Sequence, residues 1–209
     1  MEKVKIGILI SGRGSNMAAI AQAVHKGQIP AGIAVVFSNV TDAKGIAKAE
    51  AFGIETVSFS HKGFKSREDF DRAVAAELDK RDVGLVCLAG YMRLLSPWFV
   101  NKYKNKIMNV HPALLPAFPG VDAQKQAVEW GAKVSGATVH FVDDRLDNGP
   151  IIIQESVPVF ASDDEESLAE RILEVEHKIY PKAVELFCRG LLKVDGRKVV
   201  IHDYERTEN

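Results

Sequence analysis

From residue 4 to residue 110 the chain repeatedly runs through a short, β-branched apolar stretch, breaks at glycine or polar residues, and continues into a helical pattern. That alternation is the strongest constraint on the fold. Strand-like segments cover residues 4–10, 33–37, 54–59, 84–89 and 107–110, with helical patterns between them. Strands separated by helices and joined without a long linker favour parallel pairing, because a crossover helix returns the chain to the same end of the sheet. The expected fold class is α/β: an open, mostly parallel twisted sheet with helices on both faces, Rossmann-like, and with ligands at the carboxyl ends of its strands.

Helix boundaries follow from local chemistry. An alanine-rich helix runs to about His25. Asp42 is placed to cap a helix reaching Phe52, with Gly53 just beyond it. Ser66, followed three residues later by Asp69, opens a helix to about Lys80 whose Phe70, Val74 and Leu78 share a face. Ser96-Pro97 supplies a cap and a first-turn proline for the next. Beyond residue 133 the pattern changes to a hairpin-like strand pair, 135–142 and 150–159, around the polar loop 143–149. Ser162 and Glu165 form a capping box ahead of a long helix carrying Leu168, Ile172, Val175 and Ile179, which Pro181 is expected to kink or split. Residues 198–201 read as a strand, and the charged end that follows as a mobile tail.

With 209 residues, 46% hydrophobic and 26% charged, the chain has the composition of a globular domain. It is expected to form a single domain with a nucleotide- and phosphate-binding half, 1–110, and a C-terminal half, 111–209. Basic and acidic residues nearly balance at 27 and 28, leaving no basic excess for a phosphate backbone, so nucleic acid is excluded as a partner. No apolar run approaches the ~18 residues that span a bilayer, and no signal-peptide pattern opens the chain, so a membrane is excluded and the cytoplasm expected. Cys87 and Cys188 sit in apolar surroundings without metal-ligand spacing and read as reduced core residues.

The first strand runs into Gly12-Arg-Gly-Ser-Asn16 and then a helix, which gathers free backbone N–H groups and the positive end of a helix dipole around one small space. A dinucleotide site would need a third glycine where Met17 stands and an acid where Phe37, Ser38 and Asn39 stand. A nucleoside-triphosphate loop would need Gly-Lys-Ser/Thr. A single phosphate on a small substrate fits, since Ser15 and Asn16 add donors; a turn required only for packing is the plainer alternative.

Asn109 and His111 stand two apart at the end of a strand that Pro112 terminates, so both face one side where this architecture places chemistry. A satisfied core histidine is the plainer reading of His111. The loop Asp143-Asp144-Arg-Leu-Asp147-Asn-Gly149 follows His140. It reads as a solvated turn, as an aspartate that orients His111, or, with His140, Asp143 and Asp147, as a metal site of unrecognised spacing.

Four segments, Ser11-Gly-Arg-Gly-Ser-Asn16, Leu88-Ala-Gly-Tyr-Met-Arg-Leu-Leu-Ser-Pro97, Asn109-Val-His-Pro-Ala-Leu-Leu-Pro116 and Val139-His-Phe-Val-Asp-Asp-Arg-Leu-Asp-Asn-Gly-Pro150, together resemble the folate-dependent phosphoribosylglycinamide formyltransferases of purine synthesis. The resemblance spans nearly the whole chain. It implies a catalytic trio Asn109, His111 and Asp147. It implies a ribonucleotide site of Gly14, Ser15, Asn16, Leu173 and Glu176, and a folate site of Arg67, Met92, Arg93, Leu94, Leu95, Asn109, Asp143 and Asp144. It also adds folate binding to the C-terminal half, 111–209. The implied co-substrate is 10-formyltetrahydrofolate, without metal, and the implied acceptor is glycinamide ribonucleotide. Ala113 departs from a frequent serine, Asp122 and Gln124 from histidines in some members, and Leu173 from a polar residue. Competing readings are a hydrolase releasing formate from the same folate, a transferase acting on methionyl-tRNA, and a non-catalytic nucleotide-binding module. Length and charge argue against the tRNA acceptor.

Overall fold

The computed structural model describes residues 3–202, which divide into two compact units at Met108/Asn109. In the first unit, β1 (Val4–Ile10) lies between β2 (Ala31–Ser38) and β4 (Leu85–Leu88), and β3 (Thr56–Ser58) lies beyond β2. The pairings are parallel, with Ile8 opposite both Val36 and Cys87. Ile6, Ile8, Leu9, Ile10, Val35, Val36 and Phe37 are fully buried. Consecutive buried residues mark a sheet covered on both faces, which is why these strands read as unbroken apolar runs. Four helices connect them: α1 (Ser15–His25), α2 (Lys44–Ala51), α3 (Arg67–Asp79) and α4 (Pro97–Lys102).

Ser66 and Ser96 cap α3 and α4 as their spacing predicts, accepting from the N–H groups of Asp69 and Phe99. Asp42 does not cap α2. The helix begins at Lys44 behind an extended Ala43, and its start is set by the Gly45 N–H donating to the Gly12 carbonyl at 2.9 Å. A tertiary contact has replaced the side-chain cap that the local sequence favoured.

β5 (Ile107–His111) contains the division between the units. In the second unit the order is β5, β6 (Val134–Phe141), β7 (Ile151–Pro158), β9 (Lys198–Ile201) and β8 (Leu192–Asp195). β6 and β7 pair antiparallel, as do β8 and β9, while β7 and β9 run parallel. The sheet is open and mostly parallel. A short helix, α5 (Ala123–Glu129), and β8 have no counterpart among the sequence expectations; each is brief and lacks a long periodic signal.

α6 (Glu165–Cys188) packs on β6 and β7 through Leu168, Ile172, Val175 and Ile179. The expected capping box and the expected split at Pro181 both fail here. The capping box is Asp164 with Ser167, not Ser162 with Glu165. The reason lies one residue earlier, where Asp163 accepts from the Phe160 N–H and from both terminal nitrogens of Arg171, fixing the turn before the helix. Pro181 neither ends nor splits α6, which continues through it with Tyr180, Ala183 and Val184 buried on either side. Packing of the apolar face outweighs the lost backbone hydrogen bond. The expected charged tail lies outside the described residues beyond His202. No described helix is long and apolar enough to cross a membrane.

The Arg171 guanidinium beside Asp163 holds that carboxyl well below the usual carboxylate range. A depressed folded-state value contributes stability above the unfolded value of about 4, and that contribution is lost as pH falls. Asp163→Asn is expected to lower Tm near neutral pH, with the gap to wild type narrowing as pH drops from about 6 to about 3. Thermal melts across that range check it.

Candidate active site

The glycine turn follows β1. Gly14, at the N-terminus of α1, adopts a left-handed conformation (φ 67°), and a Cβ there would stand 2.8 Å from the Cα of Gly45. Two glycines are needed for the turn to sit so close to α2. Ser15 and Asn16, expected in the turn, are the first residues of α1, Asn16 buried and Ser15 half-buried. The N–H groups of the first helical turn have no carbonyl four residues back within the helix; the ladder begins with Ala18 N–H to Gly14 O at 3.0 Å.

Ser11, the break after β1, joins three strand ends. Its hydroxyl donates to Asn39 Oδ1 at 2.6 Å beyond β2 and accepts from the Met92 N–H at 2.8 Å beyond β4. Its own N–H donates to the Gly90 carbonyl at 3.0 Å. The glycine turn and the start of the 92–95 segment are therefore fixed to each other within the first unit. Met92 and Leu94 expose large apolar side chains, 76% and 55%. Leu95 is half-buried. Arg93 lies over the Phe70 ring, 4.7 Å from its centroid, and Arg67 is exposed at the start of α3.

In the second unit the strand alternation places Asn109 and His111 on one side of β5. His111 is buried, and its ring is held at both nitrogens. Nε2 donates to the Phe118 carbonyl at 2.8 Å, while Nδ1 lies 3.4 Å from Asp147 Oδ2. Both partners are acceptors. Asp147 Oδ2 also accepts from the Gly120 N–H at 2.8 Å. Phe118 and Asp147 have left-handed backbones (φ 50° and 46°), conformations that cost non-glycine residues about 1–3 kcal/mol and gather at functional sites. The structure thus joins His111 to Asp147, a contact that the sequence offered only as one option for the aspartate loop.

His140, which the sequence offered only as one member of a metal site of unrecognised spacing, has another part. Burial pushes its imidazole below the usual range, and Nδ1 bonds the Phe141 carbonyl at 2.9 Å, so the neutral ring donates there and presents a bare Nε2. The Asn109 amide Nδ2 approaches that nitrogen at 3.4 Å and is the donor of the pair. His140 therefore orients Asn109. Asp143 organises its own loop by accepting from the Arg145 N–H and the Asn148 amide, at 3.0 and 2.8 Å. Asp144 is exposed. Gly149 closes the loop so tightly that a Cβ would fall 1.8 Å from the Phe141 carbonyl oxygen. Glu176 is buried on α6 and Leu173 half-buried one turn before it. Asp122 has a left-handed backbone before α5, with Gln124 in the first turn of that helix, and Ala113 is fully buried.

The formyl transferase family profile matches residues 4–184. Phosphoribosylglycinamide formyltransferase of Escherichia coli is 42% identical over 98% of this chain and its own full length. The trifunctional purine biosynthetic protein adenosine-3 of Gallus gallus is 46% identical over 92% of the chain, which spans only 19% of that protein. The crystal structure of glycinamide ribonucleotide transformylase 1 from Symbiobacterium toebii superimposes with a TM-score of 0.94 at 48% identity, covering 95% of this chain and 94% of that one. A glycine turn after β1, an Asn-x-His strand end and an aspartate loop bonded to that histidine, found together in a chain with these relatives, make it a member of the formyl transferase family.

Proposed function

We propose that this chain transfers the formyl group of 10-formyltetrahydrofolate to the primary amine of glycinamide ribonucleotide, in the cytoplasm and in the service of purine synthesis. The observation that carries the reading is the His111 ring placed between Asp147 and a carbonyl acceptor, on the same strand end as an Asn109 amide oriented by a neutral histidine. That is a donor array without a nucleophile. Direct attack by the substrate amine needs nothing more from the protein.

In this scheme the amine nitrogen forms a bond to the formyl carbon, and its oxygen becomes an oxyanion. One Asn109 N–H is directed at His140, leaving the other for that oxyanion. The His111 Nε2–H, which donates to Phe118 O, exchanges that carbonyl for the oxyanion. Asp147 balances the charge on the ring. The carbon–N10 bond then breaks, and the proton lost by the amine reaches N10 through water. Gly14, Ser15 and Asn16 hold the substrate phosphate, Glu176 contacts the ribonucleotide, and Leu173 lies beside it as an apolar neighbour. Arg67, Met92, Arg93, Leu94, Leu95, Asp143 and Asp144 hold the folate. No described cluster of His, Cys, Asp or Glu is arranged to bind a metal, and the scheme calls for none.

The test is a spectroscopic assay of tetrahydrofolate formation. Turnover is expected only when glycinamide ribonucleotide is added; equal turnover without it would assign a hydrolase. For Ser15→Ala/Asn16→Ala, KM for the ribonucleotide is expected to rise at least about 10-fold, since a hydrogen bond to a charged group contributes about 1.5–3 kcal/mol. Initial rates against ribonucleotide concentration check this, and an unchanged KM places the phosphate elsewhere.

A further inference from the structure

The first unit contains a carboxylate that the proposed reaction does not use. Asp71, on α3, is only 1% exposed, which is rare for an aspartate without a specific partner. Its Oδ2 accepts from the Ser96 N–H at 2.5 Å. Ser96 is the cap of α4 and the residue that ends the 92–95 segment. Burial pushes the Asp71 carboxyl upward, while the Ser96 hydrogen bonds and the charges of Arg93 and Arg67 pull it back.

The spacing on α3 explains how these groups meet. Arg67, Phe70 and Asp71 stand at i, i+3 and i+4, so they form one face of the helix. Phe70 is fully buried and carries the Arg93 guanidinium over its ring at 4.7 Å. Arg93 Nε is buried and makes no hydrogen bond. A guanidinium lying over a ring face with a donor left over is oriented but not consumed. Ser96 and Arg93 flank Leu94 and Leu95, so one face of α3 grips the segment at both ends.

We infer that Asp71 is a positioning residue for folate binding, fixing the 92–95 segment through the Ser96 N–H and steering the Arg93 and Arg67 guanidinium groups toward the anionic end of the co-substrate. This rests on the folate role proposed above for Arg67 and residues 92–95. An aspartate so placed makes part of the site in advance of the ligand, which reduces the ordering cost of binding. Its removal loosens the folate end and leaves the glycine turn and the His111 ring untouched.

The test compares wild type with Asp71→Asn, which keeps an acceptor for Ser96 but removes the charge. Binding of 10-formyl-5,8-dideazafolate and of glycinamide ribonucleotide is measured by calorimetry, beside Tm. The expected result is a folate-analogue Kd raised at least about 10-fold, a shift of about 1.4 kcal/mol, with ribonucleotide Kd within about twofold. In an Arg93→Ala background the same substitution is expected to have less than half that effect on a logarithmic scale, because one of its targets is gone. If Asp71→Asn does not fold, Asp71→Ser carries the same comparison. An unchanged analogue Kd overturns the inference, as does equal weakening of both ligands with a lowered Tm, which assigns Asp71 to stability alone. Failure of wild type itself to bind the analogue overturns the folate reading and this inference with it.

Discussion

Replacing His111 with alanine is expected to lower kcat about 100- to 1,000-fold, the loss of about 2.7–4 kcal/mol typical of removing one oxyanion donor. The fold is expected to survive, since the ring's partners are Phe118 O and Asp147, both in loops rather than in the apolar interior. Asn109→Ala should lose a similar amount. Joint replacement should fall well short of the product of the two, because both donors serve the same oxygen and act as a unit. Steady-state kinetics beside far-UV circular dichroism separates lost chemistry from lost structure. Turnover within about threefold of wild type in either single variant would remove that residue from the donor array.

Asp147→Asn is expected to cost at least about 100-fold in kcat with little change in KM for either substrate. The amide oxygen can still accept from the Gly120 N–H, so the left-handed loop conformation keeps its anchor. What disappears is the negative charge 3.4 Å from His111 Nδ1. Without it, a positive charge on the buried ring beside the developing oxyanion is no longer compensated, and the donor to that oxyanion is weakened. Stopped-flow single turnovers locate the defect in the chemical step; a defect confined to ribonucleotide binding would show Asp147 to be a substrate contact.

The parts of the fold that were legible in the sequence are those determined by local chemistry. Strand–helix alternation, the Ser66 and Ser96 caps and the Asn109/His111 face depend on residues only a few positions apart, and the structure follows them. Where the expectations failed, a distant partner had taken over. Gly45 bonded to Gly12 starts α2 in place of Asp42, and Arg171 bonded to Asp163 moves the capping box to Asp164. The site shows the same division. His140 preceding three aspartates gave no sign of its part; its burial and the Phe141 carbonyl show it to be a neutral ring facing Asn109. Phe118 and Gly120 carried no signal at all, since they act through backbone atoms that any residue possesses. Ser11 lay inside a recognised motif, but its bonds reach Asn39 and Met92, 28 and 81 residues away.

The central claim is that the formyl group goes to a substrate amine and not to water. The most direct measurement follows an isotopically labelled formyl group by NMR during turnover of 10-formyltetrahydrofolate with glycinamide ribonucleotide. The label is expected in a formamide on the ribonucleotide, appearing in step with tetrahydrofolate. Label accumulating as formate at the same rate with or without the amine would contradict the claim.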